Sequence, residues 1–110
     1  MIDINHYDYH VRWSAEDEVF VGRVTEFPSL AAHGDSLAEA MQEIQNVVGF
    51  VIEDLTQNNE SVPEPLSTKT FSGKFNVRLP VELHRQLSIE AAKQNVSLNT
   101  LLISKLSRTV

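Results

Sequence analysis

Lys74, Asn76 and Arg78 alternate with Phe75, Val77 and Leu79 in the stretch KFNVRLP, which stops on Pro80. In an extended chain successive side chains point to opposite faces, so the three polar residues share one face and the three apolar ones the other. Asn and Arg can each make paired hydrogen bonds to adenine and guanine edges, in a major groove wide enough for a two-stranded ribbon. An ordinary half-buried strand with a solvated face would look similar. The basic surroundings and the types of the polar residues favour nucleic acid. The strand is isolated, with only helices near it in sequence, so its simplest partner is the same strand of a second chain.

Other residues invite different chemistry. Gly34-Asp35-Ser36-Leu37 could present Ser36 as a nucleophile with His33 as its base. The chain is too short for a hydrolase sheet, however, and the same four residues are accounted for as a turn and a helix cap, so no catalytic residue is assigned and no enzyme is expected. His6 and His10 read as lying on one strand face, but spacing indicates no third ligand, and no metal or cofactor is expected. Glu16, Asp17 and Glu18 form a solvated loop or a contact for a basic partner rather than a cation site. With no cysteine, disulfides, thiolate metal sites and thiol nucleophiles are all excluded.

The elements that must position these residues fall into two modules of opposite charge. Residues 1–65 carry two basic residues against thirteen acids, a net of −11, whereas residues 66–110 carry seven against two, a net of +5. The overall −6 hides a tail suited to phosphate and a front half suited to a basic partner. In the front, Tyr7–Ser14 and Val19–Phe27 alternate as strands around an acidic hairpin, and a short extended piece covers Leu30–His33. Ser36 and Glu39 have capping-box spacing, and Leu37, Ala40, Met41, Ile44, Val48 and Leu55 recur at helical spacing, predicting a helix across the sheet. Residues 58–70 read as a linker between a front module of residues 1–57 and a tail of residues 71–110. In the tail a helix starts at or just after Pro80, Asn95 ends it and Ser97 caps a second. Val81, Leu83, Leu87, Ile89 and Ala91 supply the first helix's apolar side, and Leu98, Leu101, Leu102, Ile103 and Leu106 the second's. The fold class is α+β. No apolar run could span a bilayer and no leader is evident, so a soluble cytoplasmic protein is expected, and so short a core predicts an oligomer.

The tail, from Phe71 to Arg108, resembles a ribbon-helix-helix DNA-binding domain of the Arc/MetJ class. That resemblance implies an intertwined homodimer, base contacts from Lys74, Asn76 and Arg78, and phosphate contacts from Ser97, Leu98, Asn99 and Thr100. The front half is similar to the HicB-type antitoxin domain, through Phe27-Pro28-Ser29-Leu30 and Gly34-Asp35-Ser36-Leu37-Ala38-Glu39-Ala40. Pro28-Ser29-Leu30-Ala31 departs from that family's usual Pro-Gly-Cys step, which bears on the local turn. The resemblance implies a partial ribonuclease-H-like β-meander plus helix without catalysis, blocking a HicA-type ribonuclease toxin, while the tail represses its own operon at operator DNA. Expected toxin contacts are Tyr7, Trp13, Glu16, Asp17 and Glu18. A solitary repressor without a toxin is the alternative, and assembly into dimers of dimers stays open.

Overall fold

The computed structural model describes residues 2–108, and the chain divides into two compact units, Met1–Phe71 and Ser72–Val110. Unit 1 begins with a single 3-10 turn, Ile4–His6, then forms an antiparallel meander of β1 (Tyr9–Ser14), β2 (Val19–Val24) and β3 (Ala31–Gly34), in that spatial order. The β1–β2 register pairs Tyr9 with Val24 and Ser14 with Val19, and β2–β3 pairs Phe20 with Gly34 and Arg23 with Ala31. The hairpin closes where the Glu18 N–H donates to the Ser14 carbonyl at 2.8 Å, with Glu18 at φ 54° supplying the left-handed residue that reverses the chain.

Helix α1 (Leu37–Gln57) starts as the capping residues predict: the Ser36 hydroxyl accepts from the Glu39 N–H at 3.0 Å. It packs on one face of the sheet. Ala40, Ile44 and Val48 are completely buried, Ile44 and Val48 against Val24, Phe27, Ala32 and Tyr7, and each of these two larger side chains contributes about 1.5–3 kcal/mol. Two glycines set the approach. A Cβ on Gly22 would lie 2.7 Å from the Ala40 carbonyl oxygen, and one on Gly34 2.3 Å from the Ala40 nitrogen. The register therefore assigns Phe20, Gly22 and Val24 with their cross-strand partners to the helix side, leaving His10, Arg12, Ser14, Val19, Val21, Arg23, Ala31 and His33 on the open side.

The segment expected as a linker does not hang loose after α1. The Tyr7 hydroxyl donates to the Pro63 carbonyl at 2.7 Å, the Leu66 N–H to the Glu26 carboxylate at 2.8 Å, and the Ser67 hydroxyl to the His6 carbonyl at 2.7 Å; Pro65 is buried. Sequence polarity suggested a tether because these bonds use backbone groups, to which hydropathy is blind.

Unit 2 holds α2 (Val81–Gln94) and α3 (Leu98–Ser107). Pro80 precedes the first helical residue, and Asn95 ends α2 in the left-handed conformation at φ 58°, with the Val96 N–H returning to the Ala91 carbonyl. The small core consists of Leu87, Ala91 and Leu101 with Leu98 and Leu102 beside it. Of the two apolar faces expected from periodicity, only those three residues are buried. Val81, Leu83, Ile89 and Ile103 remain exposed, because two short helices have too little surface to cover each other.

Candidate functional site

Residues 74–80 adopt no regular strand, in contrast to the sequence expectation. A lone strand has no partner for its backbone donors and acceptors, so nothing within one chain fixes the ladder. Phe75 is 77% exposed, Val77 62% and Leu79 37%, and Lys74, Asn76 and Arg78 are exposed with no ion pair among the described residues. Just before them, Gly73 at φ 82° and the Ser72 hydroxyl, which accepts from the Lys74 N–H at 3.1 Å, form a local turn. A large apolar surface thus lies on the same short run as three nucleic-acid-competent side chains.

The second group of tail residues converges on the start of α3. The Ser97 hydroxyl accepts from the Thr100 N–H at 3.0 Å and donates to the Thr100 hydroxyl at 2.8 Å. The N–H groups of Leu98 and Asn99 make no hydrogen bond within the described chain, and Asn99 is exposed. The first turn of a helix with free N–H groups and the positive end of its dipole can hold one phosphate. Ser97, Leu98, Asn99 and Thr100 are therefore brought together, with Leu98 also packed on the unit's core.

In unit 1 the sequence-derived contact set divides. Glu16, Asp17 and Glu18 are exposed at the hairpin tip, where the Asp17 N–H donates to the Ser14 hydroxyl at 3.3 Å. Trp13 is 53% exposed and sits edge-on to Phe20, ring centroids 5.0 Å apart. Tyr7 corrects the expectation of an exposed aromatic: it is 4% exposed, packed edge-on to Phe27 and hydrogen-bonded to Pro63. Its polar handle is spent internally, which alternation alone could not reveal. Burial, and secondarily the Glu26 carboxylate, raises the Tyr7 pKa. The neighbouring Tyr9 is pushed up to about 12 by burial first, then by the charges of Tyr7, Glu26 and Asp3, and its hydroxyl donates to the Ile4 carbonyl at 2.8 Å.

His6 and His10 do not share a strand face. His6 lies in the 3-10 turn, 3.7 Å from the Asp3 carboxylate, and His10 lies on β1. The Ser36 hydroxyl is engaged as the α1 cap. No group of three His, Cys, Asp or Glu residues among those described is arranged to hold a metal ion. One feature that the charge count had concealed is the open side of the sheet. Both basic residues of the acidic front half, Arg12 and Arg23, lie there with His10 and His33. Strand parity held that information, since 10, 12, 23 and 33 fall on one side once the register is known.

Residues 57–106 match the family model described as the HicB family. The match supports a HicB-type protein, and it runs from the last residue of α1 through most of α3, whereas the HicB resemblance read from sequence lay in the front half. No curated protein matches the chain. No helix among the described residues is long and apolar enough to cross a membrane.

Proposed function

We propose that the protein is an antitoxin of HicB type that neutralises a HicA-type ribonuclease by direct binding and represses its own operon by binding operator DNA. The observation that carries the DNA half is the pairing, on residues 74–79, of an uncovered apolar set with Lys74, Asn76 and Arg78. Two such runs, paired antiparallel from two chains, would satisfy each other's backbone groups and cover Phe75, Val77 and Leu79 on the helices. They would also direct the other six side chains into one major groove. The α3 starts would then clamp phosphates, Asn99 and the Leu98 and Asn99 N–H groups acting without regard to sequence.

Unit 1 would carry the toxin contact. The net −11 of residues 1–65 suits a basic ribonuclease, and Glu16, Asp17 and Glu18 beside the exposed Trp13 supply both steering charge and an aromatic anchor. Tyr7, buried and bonded to Pro63, takes no part in that contact. Neutralisation is by covering the toxin's surface, with no chemistry and no cofactor.

The test uses the full chain. Co-expression with a short basic protein encoded beside it should rescue growth and give a complex in pull-down, and the chain should shift DNA from its own promoter in preference to unrelated DNA. Binding of promoter DNA without rescue or complex formation would replace the antitoxin by a solitary repressor. Loss of both would refute the reading altogether.

A further inference from the structure

The open side of the unit 1 sheet combines opposite charges in an ordered way. Arg12, Val21 and His33 form one cross-strand row, and His10, Arg23 and Ala31 the next. Neither Arg12 nor Arg23 has a carboxylate partner among the described residues. Beyond the Ser14–Val19 pair, at the end of the same face, stand the hairpin acids. A shallow depression of about 460 Å³ runs between the two, lined by Arg12, Arg23 and His33 together with Glu16 and Asp17.

The chemistry sought by two unpaired guanidiniums is a pair of carboxylates or phosphates, which they bind with parallel hydrogen bonds. A nucleic acid is disfavoured, because the field of an acidic unit repels a polyanion before any close contact forms. Carboxylates on a surface that also offers positive charge meet the same long-range repulsion, screened beyond about 8 Å at physiological ionic strength, but at contact they also bring cations to the acids of this face, which a polyanion cannot. The same face meets that description. A two-fold axis near the Ser14–Val19 pair would exchange its ends, setting the hairpin of each copy over the Arg12 row of the other, as an isologous contact requires.

We propose that the open sheet faces of two copies of unit 1 pack on one another in this way. Three strands about 4.8 Å apart and at most six residues long offer on the order of 300 Å² per copy at most, since an axis near one end overlaps only part of the face, and this is far less than the roughly 800 Å² per partner of a standard interface. The contact is therefore weak alone and forms where the tail pairing proposed above already holds two copies together, a tether giving effective concentrations of about millimolar. It draws on the hairpin carboxylates assigned to the toxin, so the two contacts exclude each other.

The chain has no cysteine, which permits a clean crosslinking test on the full-length protein. Val19→Cys places a thiol beside the inferred axis, and Phe50→Cys places one on the outer side of α1, where Phe50 is 74% exposed. Under mild oxidation Val19→Cys should form an interchain disulfide at least tenfold faster than Phe50→Cys. Adding Arg12→Glu and Arg23→Glu should abolish that advantage, and further adding Glu16→Lys and Asp17→Lys should restore it. Sedimentation of the same samples separates the two ideas. A dimer in which both thiols react equally, or in which charge reversal has no effect, overturns the face-to-face contact alone. A monomer with no selective crosslink overturns the tail pairing and this contact together.

Discussion

Phe75→Ala distinguishes a tail that folds alone from one that folds as a pair. In a single chain the side chain is 77% exposed, so truncating it should change stability by no more than about 0.5 kcal/mol, as for most surface positions. If two runs pair and cover it, the ring loses that exposure. A phenylalanine buries on the order of 200 Å², and three-quarters of that at about 25 cal/mol per Å² is about 3–4 kcal/mol per chain. Both chains of a dimer carry the change, so the loss is about 6–8 kcal/mol per dimer, some four to six decades in dissociation constant. Sedimentation across a micromolar concentration series reads the mass, and far-UV circular dichroism during urea titration reads the helices. The single tryptophan, Trp13, lies in unit 1 and reports that unit separately. Lys74→Ala, on the opposite face of the same run, should leave the mass unchanged. A Phe75→Ala chain with wild-type mass and a stability change below 0.5 kcal/mol would refute the paired strand and, with it, the groove-reading role of its polar face.

Arg78→Ala and Asn76→Ala should each cost about 1–3 kcal/mol on operator DNA and little on unrelated DNA, whereas Asn99→Ala should weaken both alike in mobility-shift titrations. Raising salt should slow association with the toxin more than it speeds dissociation, since steering by the acidic unit is screened beyond about 8 Å at physiological ionic strength; stopped-flow mixing measures both rates. Gly22→Ala should destabilise unit 1 by about 1–3 kcal/mol in Trp13-monitored unfolding, because the added methyl meets the Ala40 backbone oxygen at 2.7 Å. The fold favours protonated Tyr9, whose pKa is raised to about 12 from 10, so its contribution is intact below pH 10 and is lost as pH rises toward 12. Tyr9→Phe should therefore flatten that alkaline limb of the stability profile.

The elements most readable in sequence were those specified locally. Ser36 and Ser97 as caps, Asn95 as a left-handed stop and Pro80 at a helix start each act through their own backbone neighbourhood, and all four stand where their chemistry puts them. Strand alternation gave the three-stranded meander, though β2 ends at Val24 and Phe27 turns into the core as part of the following turn. What escaped was non-local. Tyr7 is drawn inward by Phe27 and by the carbonyl of a residue 56 positions later, and no pattern around Tyr7 encodes that bond. The basic face needed the register of three strands before Arg12, Arg23 and the two histidines could be seen as neighbours. Residues 74–79 present the reverse case: their alternation is clear, yet one chain lacks the second strand that would make it a structure.

The docked segment after α1 also determines where unit 1 can be cut. The charge count divides the chain after Pro65, and a fragment of residues 1–65 would keep every acid of the front half. The Glu26 carboxylate, however, accepts from two N–H groups, that of Asp8 at 3.0 Å and that of Leu66 at 2.8 Å, and so joins the start of β1 to the end of the segment. Cutting after Pro65 removes the Leu66 donor and the Ser67 hydroxyl that donates to the His6 carbonyl. A hydrogen bond to a charged group contributes about 1.5–3 kcal/mol, nearer the lower figure here because the pair is partly solvated, and a neutral one about 1. The shorter fragment should therefore be less stable than residues 1–71 by about 2–3 kcal/mol, with the Pro63 carbonyl no longer held over the Tyr7 hydroxyl from both sides. Urea unfolding of the two fragments, followed through Trp13, gives the difference directly. Glu26→Gln in the longer fragment should forfeit about half of it, since the amide oxygen can still accept one bond but carries no charge. Equal midpoints for the two fragments would mean that the segment merely rests on the sheet, and the boundary drawn from charge would stand.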